Sequence, residues 1–162
     1  LNLQYAGGSN FLYVKMDVSP LPSKNYNAIL SSQSKYGFNY VARHYDLPDL
    51  LAGKIHAVLR RTVLRDRDDR ESVKGRDYFD LLWFVKKNVK PNFLRLSDML
   101  GEKVSSEEVI SMLIEKVESV GKYISDFESD MLPLVKNDKA VEFYVANYQE
   151  EFIRNIRNVN WL

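Results

Sequence analysis

The 162-residue sequence predicts an α+β or α/β fold, a partial mixed sheet with helices followed by a carboxyl-terminal helical bundle. Two observations carry that prediction. Runs such as Phe11 to Val18 and Phe38 to His44 have the residue types of strands, while the segments from Leu47 onward repeat apolar residues at helical spacing. Beyond Asn88 to Pro91 the patterns are helical, which divides the chain into residues 1–95 and a helical domain over 96–162.

Composition narrows the class further. With 45% apolar and 28% charged residues the chain reads as an ordinary globular protein long enough to bury a core. A net charge of +1 makes no global case for nucleic acid or membrane. The absence of cysteine excludes disulfides and thiolate metal sites and fits a cytoplasmic protein. Two histidines, His44 and His56, are too few for a histidine-rich zinc site. No apolar run reaches bilayer-spanning length and no signal peptide is visible.

Taken in order, Leu1 to Ser19 reads as a hairpin turning at Gly7-Gly8-Ser9-Asn10, with Leu12, Val14, Met16 and Val18 on one face of its second strand. Asp17 falls on the other face, near the strand end, where alternation alone accounts for it. Pro20 to Gly37 is a connection with a short helix or strand at Tyr26 to Ser31, and Phe38 to His44 is a strand feeding the next helix. That helix begins at Leu47, capped by Asp46 or Leu47, with Pro48 in its first turn. Leu47, Leu51, Ile55, Val58 and Leu59 form its apolar stripe, and Lys54 lies beside the stripe.

Arg60 to Arg76 reads as a solvated loop with seven cations and four acids, laced by internal ion pairs or contacting phosphate. A second helix begins near Arg76. Its Asp77 and Asp80 are three apart and share a face. Tyr78, Phe79, Leu82, Trp83 and Val85 are its core candidates. A purely structural reading makes Asp77 a brace that salt-bridges Lys54 or Arg61 across the two helices. In the tail, Ser105 with Glu108 forms a capping box opening a helix to about Val117. A helix over about 121–130 follows, and Pro133 interrupts the chain. The last helix, Asp138 to Asn158, carries Val141, Val145, Tyr148, Phe152 and Ile156 as its stripe.

The two central helices resemble the AbiEii/AbiGii toxin-like nucleotidyltransferases of bacterial abortive-infection and toxin–antitoxin systems. The resemblance rests on Leu51, Ala52, Lys54 and Arg61, followed by Lys74, Arg76, Asp77, Asp80 and Leu81 in the family's order. It implies transfer of a nucleotidyl group from a nucleoside triphosphate, with Mg2+, onto an RNA such as a tRNA or onto a protein, and an antitoxin as partner. In that scheme Lys54 binds triphosphate, assisted by Arg61 and Arg76. Asp77 positions the acceptor or assists proton removal, Asp17 is a metal-site acid, and Asp80 and Lys74 are second-rank candidates.

The family's opening Gly-Gly-Ser/Thr and Asp-x-Asp pair have no counterpart, because Gly7-Gly8-Ser9 leads into a strand and Asp17 stands single. Residues 1–95 are therefore expected to be the later part of a nucleotidyltransferase-like domain, and the chain alone is expected not to transfer nucleotides. The alternative is a non-catalytic binding or interaction domain whose helical tail docks a partner.

Overall fold

The computed structural model describes residues 23–61, 63–65, 70–135 and 137–161. The hairpin expected over 1–19, with Gly7, Gly8, Ser9 and Asp17, lies outside the described residues.

The described chain opens with an antiparallel pair, β1 (Ala28–Lys35) and β2 (Phe38–Tyr45), in register from Ala28 opposite Tyr45 to Lys35 opposite Phe38. The short helix or strand expected at 26–31 within the connection is thus a strand, longer and beginning two residues later. Its two-residue turn, Tyr36-Gly37, has φ of 56° and 80°, the primed geometry that matches strand twist. Asp46 caps α1 (Leu47–Arg60), its carboxylate accepting from the Asp49 amide at 2.9 Å. The expected loop holds a second antiparallel pair, β3 (Val63–Arg65) and β4 (Arg70–Ser72). Then come α2 (Gly75–Lys86) and α3 (Phe93–Leu100), the latter capped by Asn92. The capping box of Ser105 and Glu108 opens α4 (Ser106–Glu118). A 3-10 segment (Ser119–Tyr123), α5 (Ile124–Met131) and α6 (Asp138–Ile156) complete the order.

The class is mixed α+β, with the described strands in two separate two-stranded sheets. Among the described residues no helix is long and apolar enough to cross a membrane. Leu51 and Ile55 of α1, Leu81 and Leu82 of α2, Leu113 of α4, Phe127 of α5 and Phe152 of α6 lie within one hydrophobic core. The α6 stripe is buried as its spacing predicts, and the Tyr148 hydroxyl donates to the Tyr78 carbonyl at 2.8 Å, tying α6 to α2. Two core candidates fall outside. Phe79 and Trp83 are 38% and 44% exposed, because Tyr78, Leu81, Leu82 and Val85 already supply the face of α2 that meets its neighbours.

Two contacts anchor this arrangement. Gly75 opens α2 against Phe127, where an added Cβ would fall 2.4 Å from a ring carbon and 2.7 Å from the backbone oxygen. Its amide donates to Asp130 at 2.9 Å, so a side chain from α5 serves an N-terminus that Lys74 leaves without a side-chain cap. At the root of the first hairpin, buried Asp49 accepts from the Asn27 amide and from the Asn92 side chain, joining β1, α1 and α3. Arg95 of α3 is also buried, its guanidinium 4.2 Å from the Tyr45 ring centroid.

Candidate active site

The Lys54, Asp77 and Asp80 side chains meet between α1 and α2. Lys54 of α1 is 22% exposed, and its ammonium reaches across to α2. Asp77 is in the first turn of α2 and Asp80 is one turn on. The Lys54 Nζ is 2.8 Å from Asp77 Oδ1 and 2.9 Å from Asp80 Oδ2. Arg61, the residue that ends α1, leaves helical geometry at ψ 119° and its Nη1 donates to Asp77 Oδ2 at 2.7 Å. Both Asp77 oxygens therefore hold a cation.

Burial grades these contacts. The Asp77 side chain is only 9% exposed and Lys54 22%, whereas Asp80 is 49% exposed. The Lys54–Asp77 contact is thus the sheltered one, and the Lys54–Asp80 contact exchanges with solvent at little cost. Burial alone would lower the Lys54 pKa, but hydrogen bonds and charges from Asp77 and Asp80 outweigh it and hold the pKa above 10.5. Lys54 is an ammonium at neutral pH. It acts as a cation, not as a general base. His56 is pushed the other way, first by burial and then by Arg60 and Arg61, so its imidazole stays neutral to lower pH. Burial, followed by the Asp77 charge, raises the Tyr78 phenol, which keeps its proton.

The remaining candidates spread apart. Lys74 is half-buried and lines a crevice with Arg61, Asp77 and Lys116. Arg76 is exposed and makes no side-chain hydrogen bond or ion pair among the described residues. Asp17 lies outside those residues, so its convergence with Lys54 and Asp77 is not described. Sequence reasoning missed Lys116, which reaches the crevice from α4, 55 positions beyond Arg61, with no motif to mark it. It also missed Asp130, whose service to the α2 N-terminus depends on α5 packing.

The described residues do not fit a magnesium centre. No group of three or more histidines or carboxylates placed for a metal occurs among them. Asp77 and Asp80 share a face, but Lys54 and Arg61 occupy the oxygens that a cation would need. What the cluster can do is hold an ammonium and a guanidinium in fixed positions at the mouth of a two-helix interface.

No curated protein and no solved structure matches the chain. A family model described as "Nucleotidyl transferase AbiEii toxin, Type IV TA system" matches residues 1–156, nearly the whole length. The two segments whose order resembles that family are the ones that meet at the Lys54–Asp77 contact. The chain belongs to the AbiEii nucleotidyl transferase toxin family of type IV toxin–antitoxin systems.

Proposed function

We propose that this chain carries phosphate-binding and acceptor-positioning residues of a toxin nucleotidyltransferase, which moves a nucleotidyl group from a nucleoside triphosphate to an RNA or protein acceptor. The observation that carries the reading is the 2.8 Å contact between Lys54 and Asp77 within a chain of this family. The triphosphate would arrive as its magnesium complex in the cytoplasm, and an antitoxin would restrain the activity.

Residue chemistry supports specific roles. Lys54 is a permanent cation whose exposed partner, Asp80, is readily exchanged for a phosphate oxygen. Asp77 keeps Lys54 and Arg61 aimed at the same rim, which lowers the cost of ordering them when substrate binds. Asp17 is proposed as the metal-site acid, and Arg76 as an outer phosphate contact.

The opposing reading makes the cluster a structural brace. It is favoured by the balance of two cations against two carboxylates with both Asp77 oxygens engaged. Transfer of labelled nucleotide onto RNA and protein fractions, by protein made from its complete native reading frame, separates the two. Lys54→Ala and Asp77→Asn should each remove most transfer while leaving a folded protein. Full transfer by a folded Lys54→Ala protein would sink the transferase reading of this site.

A further inference from the structure

One face of the first hairpin holds a polar relay that the cluster between α1 and α2 does not use. Ser31 lies opposite Ala42 and His44 opposite Ile29, so the serine and the histidine are diagonal neighbours on that face. Ser31 Oγ is 2.9 Å from His44 Nε2, and His44 Nδ1 is 2.7 Å from the Tyr45 carbonyl oxygen. A carbonyl only accepts, so in the neutral imidazole Nδ1 carries the proton and Nε2 presents its lone pair to the serine. The Ser31 hydroxyl therefore donates to Nε2. The Gln33 side-chain amide donates to Ser31 Oγ at 2.9 Å, which holds the hydroxyl in that orientation.

The relay has the three parts of an activated nucleophile: a hydroxyl, a base within hydrogen-bond reach, and a third group that orients the base. Access separates it from comparable pairs. Ser23 and Ser72 donate to Asp98 at 2.6 Å and to Asp126 at 2.8 Å, but these serines are only 6% and 8% exposed. Ser31 is half-buried, meets only a methyl group at Ala42 across the ladder, and has exposed His44 as its partner. Imidazole is also the better base near neutral pH, because the ordinary pKa of a carboxylate lies too low to draw a hydroxyl proton.

We propose that Ser31, with His44 as its base, is a nucleophile that takes a nucleotidyl group from a nucleoside triphosphate, so that the protein modifies its own hairpin. The nucleophile stands on the hairpin geometry, and it rests on the transferase reading only for the donor. Ser31 Oγ forms a bond to the α-phosphorus, the bond from that phosphorus to the oxygen bridging to the β-phosphate breaks, and pyrophosphate leaves with the electron pair. The hydroxyl proton passes to His44 Nε2, and the Tyr45 carbonyl facing Nδ1 steadies the imidazolium. The product is a phosphodiester between the serine and the nucleotide. Because β2 ends at Tyr45 and Asp46 caps α1, the modified hairpin leads directly into the helix that carries Lys54.

The test incubates protein made from its complete native reading frame with magnesium and each ribonucleoside triphosphate in turn, and reads intact mass and peptide maps. One nucleotidyl adduct should map to Ser31, disappear in Ser31→Ala, and form at least about tenfold more slowly in His44→Gln. Ser34→Ala, on the other face of β1, should leave the rate within about twofold. A second probe needs no transferase: a fluorophosphonate should label Ser31 in Lys54→Ala protein, and His44→Gln should remove that label. An adduct on Tyr36 or another hydroxyl in place of Ser31, or a rate that His44→Gln leaves unchanged, would overturn the proposal. Transfer to RNA or to another protein with Ser31 unmodified would overturn it while leaving the transferase reading standing. Fluorophosphonate labelling of Ser31 without any nucleotide transfer would keep the nucleophile and remove both the self-modification and the transferase reading. Neither label nor adduct at Ser31 would remove the nucleophile itself.

Discussion

Lys54 and Asp77, 23 residues apart, meet at 2.8 Å, and the aspartate is the more deeply buried of the two. That asymmetry sets unequal costs. Asp77→Ala leaves the Lys54 ammonium and Arg61 guanidinium facing each other with only exposed Asp80 to offset them, whereas Lys54→Ala leaves Asp77 still paired with Arg61. Because both cations keep access to water, the Asp77→Ala loss should lie between exposed and buried limits, about 1–3 kcal/mol, and the Lys54→Ala loss at about 1 kcal/mol or less. Urea denaturation checks the order, and equal losses would contradict it.

The raised Lys54 pKa has a fixed sign in a pH series. A lysine held above 10.5 in the folded state binds protons that the unfolded chain has released, so its stabilisation is complete below about pH 10.5 and declines above it. Tyr78 and Tyr148, both pushed up first by burial, add loss in the same alkaline direction. The Lys54 share is therefore the difference between wild type and Lys54→Met. Stability measured from pH 8 to 11.5 should fall less steeply in the variant above pH 10.5.

His56 has the opposite sign. Its folded pKa lies below 6.5, so the unfolded chain binds the extra proton first and stability declines as pH falls below about 6.5. His56→Gln should flatten that acid-side decline, as read by urea midpoints between pH 5 and 7.5. An unchanged slope would remove His56 from the account.

Gly75→Ala tests the seating of the α2 start on α5. The new Cβ would meet backbone atoms of Phe127 as well as its ring, so a rotamer change alone cannot relieve the overlap. Over-packing of this kind costs about 1–3 kcal/mol. For a chain of this size that lowers the thermal midpoint by roughly 2–4 °C per kcal/mol. The same change at Gly53, where an added Cβ meets nothing within 4 Å, should be neutral or stabilising by about 0.5–1 kcal/mol, since Ala is the better helix former.

Tyr148→Phe removes a hydroxyl that donates to the Tyr78 carbonyl in a buried setting. The carbonyl loses a partner and water cannot replace it, so the change should cost about 1–3 kcal/mol. Because that bond joins α6 to the residue after Asp77, amide exchange should quicken around Tyr78 as well as within α6. Faster exchange confined to α6 would show that the bond does not support the site.

Local signals were enough to place most helices. The Asp46 cap, the Ser105–Glu108 box and the α6 stripe act within a few residues of themselves, so the sequence by itself determined those elements, and with them Lys54 on one helix and Asp77 with Asp80 on another. The first hairpin was less legible. A strand is defined by its partner, and its turn places Tyr36 at positive φ with only Gly37 as a signal. Tertiary structure also decided which face of α2 was covered, leaving Phe79 and Trp83 outside, because a helix apolar on several sides does not say where its neighbours lie. It alone decided that Arg61 closes on Asp77, that Asp130 serves the α2 N-terminus, and that Lys116 joins Lys74. Those side chains come from elements 16 to 55 residues apart. Only the burial of a shared core across α1, α2, α4, α5 and α6 brings such distant charges to one rim.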